Sequence, residues 1–170
     1  MNLKTRSKIV IVSTLMLALL GCTTATVITD IEFAVNVVSA AAPIIAPFAG
    51  PGATVVAAYV VAAANGLDCA LTAGETPGAT TATTAAAILT CLGKIVIPVL
   101  PAGTPSVIAG IVTAIGNQIA SLLQKYGTQS VGVMALAPMP VKLGFKDHRA
   151  IHAMHKKLKT AEATIAASHK

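Results

Sequence analysis

The chain has no tryptophan, only three phenylalanines and two tyrosines, and just six carboxylates in 170 residues. Each shortage excludes something. Asp30, Glu32, Asp68 and Glu75 are scattered, so no close carboxylate pair is presented for general acid–base chemistry. No serine sits in a nucleophile-elbow glycine pattern, and neither a phosphate-binding glycine loop nor a zinc-ligand spacing occurs. Residues 146–170 carry half of the lysines and arginines but no aromatic ring on which a nucleic-acid base could stack. With charged residues at 11%, hydrophobic residues at 55% and a mean hydropathy of +0.78, the chain suits an alanine-rich helical bundle better than a typical enzyme.

The N-terminus has the parts of an export signal. Lys4, Arg6 and Lys8 form a cationic start, and residues 9–20 are apolar apart from Ser13 and Thr14. That run is shorter than the roughly 20 apolar residues of an ordinary membrane span. It ends in Leu19-Leu20-Gly21-Cys22. This segment resembles a bacterial lipoprotein signal with its lipobox, although Leu20 stands where Ala, Ser or Thr is commoner. The resemblance covers residues 1–23 alone. It implies removal of residues 1–21, a diacylglyceryl thioether and palmitate on Cys22, and stable membrane attachment, because two or more acyl chains hold where one does not. Thr23, in place of the aspartate that marks inner-membrane retention, points to the outer membrane if the source is Gram-negative. The net charge of +6 falls once Lys4, Arg6 and Lys8 leave.

Beyond a threonine-rich tether at 22–29, the pattern predicts an all-α fold. It is a small, alanine-rich, up-and-down bundle of about four helices over 30–127. Thr29 and Glu32 have the spacing of a capping box, followed by Ile31, Val35, Val38, Ala42 and Ile45 at helical steps. Pro43 and Pro47 are expected to kink or end this helix. A second helix is expected from Ala53 to about Thr72 with Gly66 as a weak point, and a third through Ile97, before Pro98 and Pro101. The fourth carries the clearest stripe: Ile108, Ile111, Val112, Ile115, Ile119, Leu122, Leu123 and Tyr126. Opposite lie Ser106, Gly110, Thr113, Asn117, Ser121 and Gln124, with Thr104 and Pro105 at its start and Gly127 closing it. Residues 128–145 read as an extended docking segment or a linker. Residues 146–170 read as a basic amphipathic helix, with Asp147 as N-cap and Ile151, Met154, Leu158, Ala161 and Ile165 as its apolar side.

Lipidation of Cys22 leaves Cys69 and Cys91, expected to form one disulfide in an oxidising compartment, or else to be two buried thiols. A turn near Pro77 would leave Cys69 and Cys91 out of level by ~7 Å along antiparallel helices. His148, His152 and His155 recur at helical spacing, but no glutamate intervenes and Arg149, Lys156 and Lys157 repel a divalent ion. No metal and no cofactor is therefore expected, and the histidines read as a solvated basic face. Lys146, Arg149, Lys156, Lys157 and Lys159 suit an anionic envelope surface, each adding about 1 kcal/mol near such a membrane. No nucleic-acid partner is expected. Function is read as a non-enzymatic, lipid-anchored envelope protein with a structural or interaction role. The alternatives are a membrane-active, pore-forming helical protein, suggested by the apolar stretch 33–64, and a carrier of a small apolar ligand.

Overall fold

Aliphatic residues at three- and four-residue spacing become five helices in the computed structural model, which describes residues 24–48, 51–132 and 142–168. They are α1 (Thr24–Ile45), α2 (Pro51–Glu75), α3 (Thr81–Leu92), α4 (Ser106–Gly132) and α5 (Phe145–Ser168). Among the described residues there is no strand, only an isolated antiparallel bridge between Thr80 and Lys142. The export signal and Cys22 lie outside the described residues.

α2 occupies the centre and packs against all four other helices. Contacts fix the directions. Gly66 and Gly74 of α2 face Leu92 and Thr84 of α3, so these two helices are antiparallel. Gly52, near the start of α2, adjoins Thr104 just before α4, so α2 and α4 start at the same end. Asp30 near the start of α1 bonds Lys125 and Tyr126 late in α4. Asp68 of α2 meets His155 of α5, while Asn36 of α1 meets Lys157, so α5 runs against α2 and alongside α1.

The expected apolar stripes are the core. Ile31, Val35, Val38, Ala42 and Ile45 are buried, as are Val56, Val60, Leu67 and Leu71 of α2. On α4, Ile108, Ile111, Val112, Ile115, Ile119, Leu122 and Tyr126 are buried, and the six residues expected opposite them are exposed. Ile151, Met154, Leu158, Ala161 and Ile165 are buried too. The C-terminal helix is thus a fifth member of the bundle, with its apolar face covered by α1 and α2.

Several boundaries differ from the sequence reading, each for a physical reason. α1 begins at Thr24, so Thr29 lies inside the helix rather than at its N-cap, and most of the expected tether is helical. Pro43 does not end α1, which runs on to Ile45; the missing N–H leaves the Ser39 carbonyl without its helical donor. α2 starts at Pro51, a favoured first position, and reaches Glu75. α3 stops at Leu92, and Val96, expected inside, faces out. Gly127 does not close α4, which continues to Gly132.

The segment expected to be extended begins with helix at 128–132. Residues 133–141, with Val133, Met139 and Val141 of the expected stripe, lie outside the described residues. At its far end Leu143 is buried and its N–H donates to the Ala79 carbonyl, whereas Phe145 is 80% exposed at the start of α5. The N-cap of α5 is Gly144, not Asp147. Its carbonyl accepts from the N–H groups of Asp147 and His148, and the Asp147 carboxylate accepts from the Gly144 N–H at 2.7 Å. Asp147 therefore caps the helix from its third position, without the reciprocal N-cap side-chain bond that glycine cannot make, and favours the positive end of the helix dipole.

Gly66 has a role that its helix propensity hides. A Cβ there would come within 2.7 Å of Ile95 Cδ1 and 2.9 Å of Leu92 Cδ2, so its small size lets the end of α3 close on α2. One turn away, the Cys69 and Cys91 sulfurs are at disulfide distance (Sγ–Sγ 1.99 Å, Cα–Cα 6.0 Å). The expected mismatch vanishes because the 76–80 connection carries the start of α3 past the end of α2, by about 6 Å at 1.5 Å per residue.

Two outcomes are expected. Gly66→Ala gains up to about 1 kcal/mol of helix propensity but must displace Ile95 and Leu92, whereas Gly66→Val lowers stability by about 1–3 kcal/mol through overpacking, both read by urea unfolding. Cys69→Ser with Cys91→Ser lowers stability by about 3 kcal/mol if loop entropy sets the effect, and intact mass before and after reduction reports the bond directly.

Candidate membrane-binding surfaces

Charges are so few that most have a structural task, and those left over mark the surface available for function. Asp30 of α1 accepts from Tyr126 Oη and Lys125 Nζ of α4, each at 2.5 Å, tying the first helix to the fourth. The centre of the second tie is Asp68, about a quarter exposed, whose Oδ1 lies 2.5 Å from His155 Nδ1. His155 Nε2 is 3.6 Å from the Glu75 carboxylate, too far for a hydrogen bond but near enough to attract a protonated ring. Lys159 Nζ completes the cluster, 3.6 Å from Asp68 and 3.2 Å from Glu162. The hydrogen bond to Glu162, followed by the charge of Asp68, raises the Lys159 pKa above its ordinary value.

This arrangement divides the expected basic face in two. Lys157 donates to Asn36 Oδ1 of α1 at 2.9 Å, and Lys159 is held by Asp68 and Glu162, so both help dock α5. His155, expected on a solvated face, is mostly buried against α2. Sequence reasoning missed this role because only the fold reveals that Asp68 and Glu75 lie opposite it. Lys146, Arg149 and Lys156 are exposed and have no ion pair among the described residues. At 100° per residue Arg149 and Lys156 point almost directly away from the buried stripe, with exposed His152 beside them and Lys146 further round the helix. The outward strip is therefore basic.

His148, His152 and His155 do not assemble a metal site. Among the described residues no group of three His, Cys, Asp or Glu side chains is placed to hold an ion. A groove of about 500 Å³ runs between α1 and α5 at Pro43, lined by Ser39, Lys156, Lys157, Thr160 and Thr164. It is open to solvent, and Pro43, Ala153 and Ala161 make its lining mostly apolar despite the two lysines. Ser39 Oγ and Tyr59 Oη are buried without a hydrogen-bond partner among the described residues.

By length and composition three stretches could cross a membrane: Val27–Ile45, Gly52–Glu75 and Ser106–Gly127. In the bundle they pack on one another; Glu32, Asn36, Asn65, Thr113, Asn117, Ser121 and Gln124 face outward, whereas Ser39, Tyr59 and Tyr126 turn their polar atoms or rings inward. Of the seven large apolar side chains exposed among the described residues, Phe33, Ile44 and Val107 lie on these stretches, Phe145 starts α5, and Val96, Ile97 and Val99 sit together in the connection between α3 and α4.

Asp68→Ala is expected to cost about 1–3 kcal/mol by orphaning His155. It should also loosen α5, so that limited trypsin digestion cuts after Lys156 and Lys157 earlier than in the native chain. Cleavage at the native rate would mean that apolar packing alone docks the helix. Comparison of the chain with protein-family models, with curated proteins and with solved structures returned no match.

Proposed function

We propose that the protein is a lipid-anchored component of a bacterial envelope, with a structural or interaction role rather than a catalytic one. The observation that carries this reading is Leu19-Leu20-Gly21-Cys22 placed directly after a charged and apolar leader. α1 starts two residues beyond Cys22, so acyl chains on that thiol would hold the bundle close to the bilayer. If the source is Gram-negative, Thr23 favours the outer membrane. On this reading the outward strip of α5 (Lys146, Arg149 and Lys156) meets anionic headgroups or other acidic envelope polymers, while Lys157 and Lys159 serve the fold.

Cys22→Ala should abolish incorporation of labelled palmitate and leave the leader uncut, seen as a heavier chain by mass spectrometry. Retained label would sink the proposal. Replacing Lys146, Arg149 and Lys156 together by Ala should weaken binding to anionic vesicles by about 3 kcal/mol, or roughly 150-fold, at about 1 kcal/mol per cation. Replacing Lys157 and Lys159 should instead act mainly on unfolding.

A second reading, a membrane-active helical protein, is favoured by the three apolar helices of spanning length. It requires the bundle to open, which the disulfide-distance pair between α2 and α3 and the charged clamp between α2 and α5 oppose. Release of a trapped dye from phosphatidylcholine vesicles would favour this reading; intact vesicles favour the first.

A further inference from the structure

From the proposal of a membrane-associated protein we infer a second lipid contact, separate from the anchor and from α5: the 93–105 connection between α3 and α4. Residues 95–101, Ile-Val-Ile-Pro-Val-Leu-Pro, form a strap without helix or strand, rising from beside Gly66 of α2 toward the start of α4. Ile95 and Leu100 pack on the core, and Ile97 lies over Gly116, which also adjoins the Tyr59 hydroxyl. The positions between them face outward, yet they are valine: Val96 is 82% exposed and Val99 94%. In a strap bathed by water those outward positions would be polar. With half-exposed Ile97 the strap holds three of the seven large apolar side chains exposed among the described residues, and half-exposed Val107 follows at the start of α4.

Charge identifies the occupant. From 76 to 146 the chain contains no Asp or Glu, so α3, the strap and α4 offer nothing to repel phosphate. From 95 to 124 it contains no charge at all. Exposed Lys94 stands at the base of the strap, where a long side chain can reach headgroup oxygens while its neighbours enter the acyl boundary. Pro98 and Pro101 bring no N–H into that boundary, which reduces the cost of desolvating the backbone. A second copy of the chain is a poorer fit. Four aliphatic side chains offer less than the roughly 800 Å² per partner that a stable protein interface buries, whereas each side chain entering a bilayer contributes independently. Among the described residues α5 does not pack against α3 or α4, so the strap and the basic strip are separate surfaces.

The absence of tryptophan supplies a clean probe. The full chain carrying Val99→Trp, or Val96→Trp as an independent second site, is reconstituted with phosphatidylcholine vesicles. A control carries Ala40→Trp on the exposed side of α1, outside both the strap and the basic strip of α5. The strap probes should shift to the blue, lose severalfold in iodide quenching, and be quenched by brominated acyl chains, while the control stays water-like. Water-like emission from both strap probes in chains that float with the vesicles would overturn the strap contact and leave anchoring intact. Chains that do not float would overturn anchoring and the strap together. A blue shift without vesicles, accompanied by a rise in molecular mass, would assign the patch to a second copy and overturn the lipid proposal.

Discussion

The rest of the structure depends on how closely four helices can approach α2. That helix buries Ala53, Ala57, Ala63, Ala64, Ala70 and Gly66 among its larger Val56, Val60, Leu67 and Leu71. Small side chains contribute little burial energy singly, but they let backbones come close enough for many dispersion contacts. Gly66 is the extreme case, since even a methyl group there would press on Leu92 and Ile95. A chain almost without aromatic bulk can therefore build a core, provided that one central helix is narrow and others gather around it.

Close apolar packing says little about which neighbour belongs where, and the few charges supply that information. Asp30 joins α1 to α4 through Tyr126 and Lys125, and Asp68 joins α2 to α5 through His155 and Lys159. Both acids are partly buried, so their loss would cost more than that of an ordinary surface pair. Once these ties are made, the outward charge is mostly positive and lies on α5. The uncharged strap lies on α3 and α4, away from it. Structure and surface chemistry thus follow from the same scarcity of carboxylates.

The stripes on α1, α4 and α5 were legible because aliphatic side chains at helical spacing have one face to bury; Leu123 is half-buried and the other residues of those stripes are inside. The ends of the helices were less legible. Thr29 and Glu32 match a capping box, but Val27 and Ile28 are already buried in the helix upstream of them, and α1 begins at Thr24. Pro43 is accommodated because Ser39 borders an open groove. Ile95, Val96 and Ile97 keep the apolar composition of α3 after the helix has ended, so composition concealed the strap. The docking role of His155 could not be read at all, since it depends on Asp68, 87 residues earlier in the chain.

Under the proposed lipid anchoring the bundle stays closed, with α5 seated on α1 and α2. Gly74 reports this directly, because a Cβ there would lie 3.1 Å from Ile151 Cδ1. Methyl NMR of the full chain in lipid nanodiscs should show a nuclear Overhauser contact between the Ile151 δ1 methyl and the Gly74 α-protons. Loss of that contact on bilayer binding, with α5 resonances moving to those of a solvated helix, would contradict a closed bundle and favour insertion of the apolar helices.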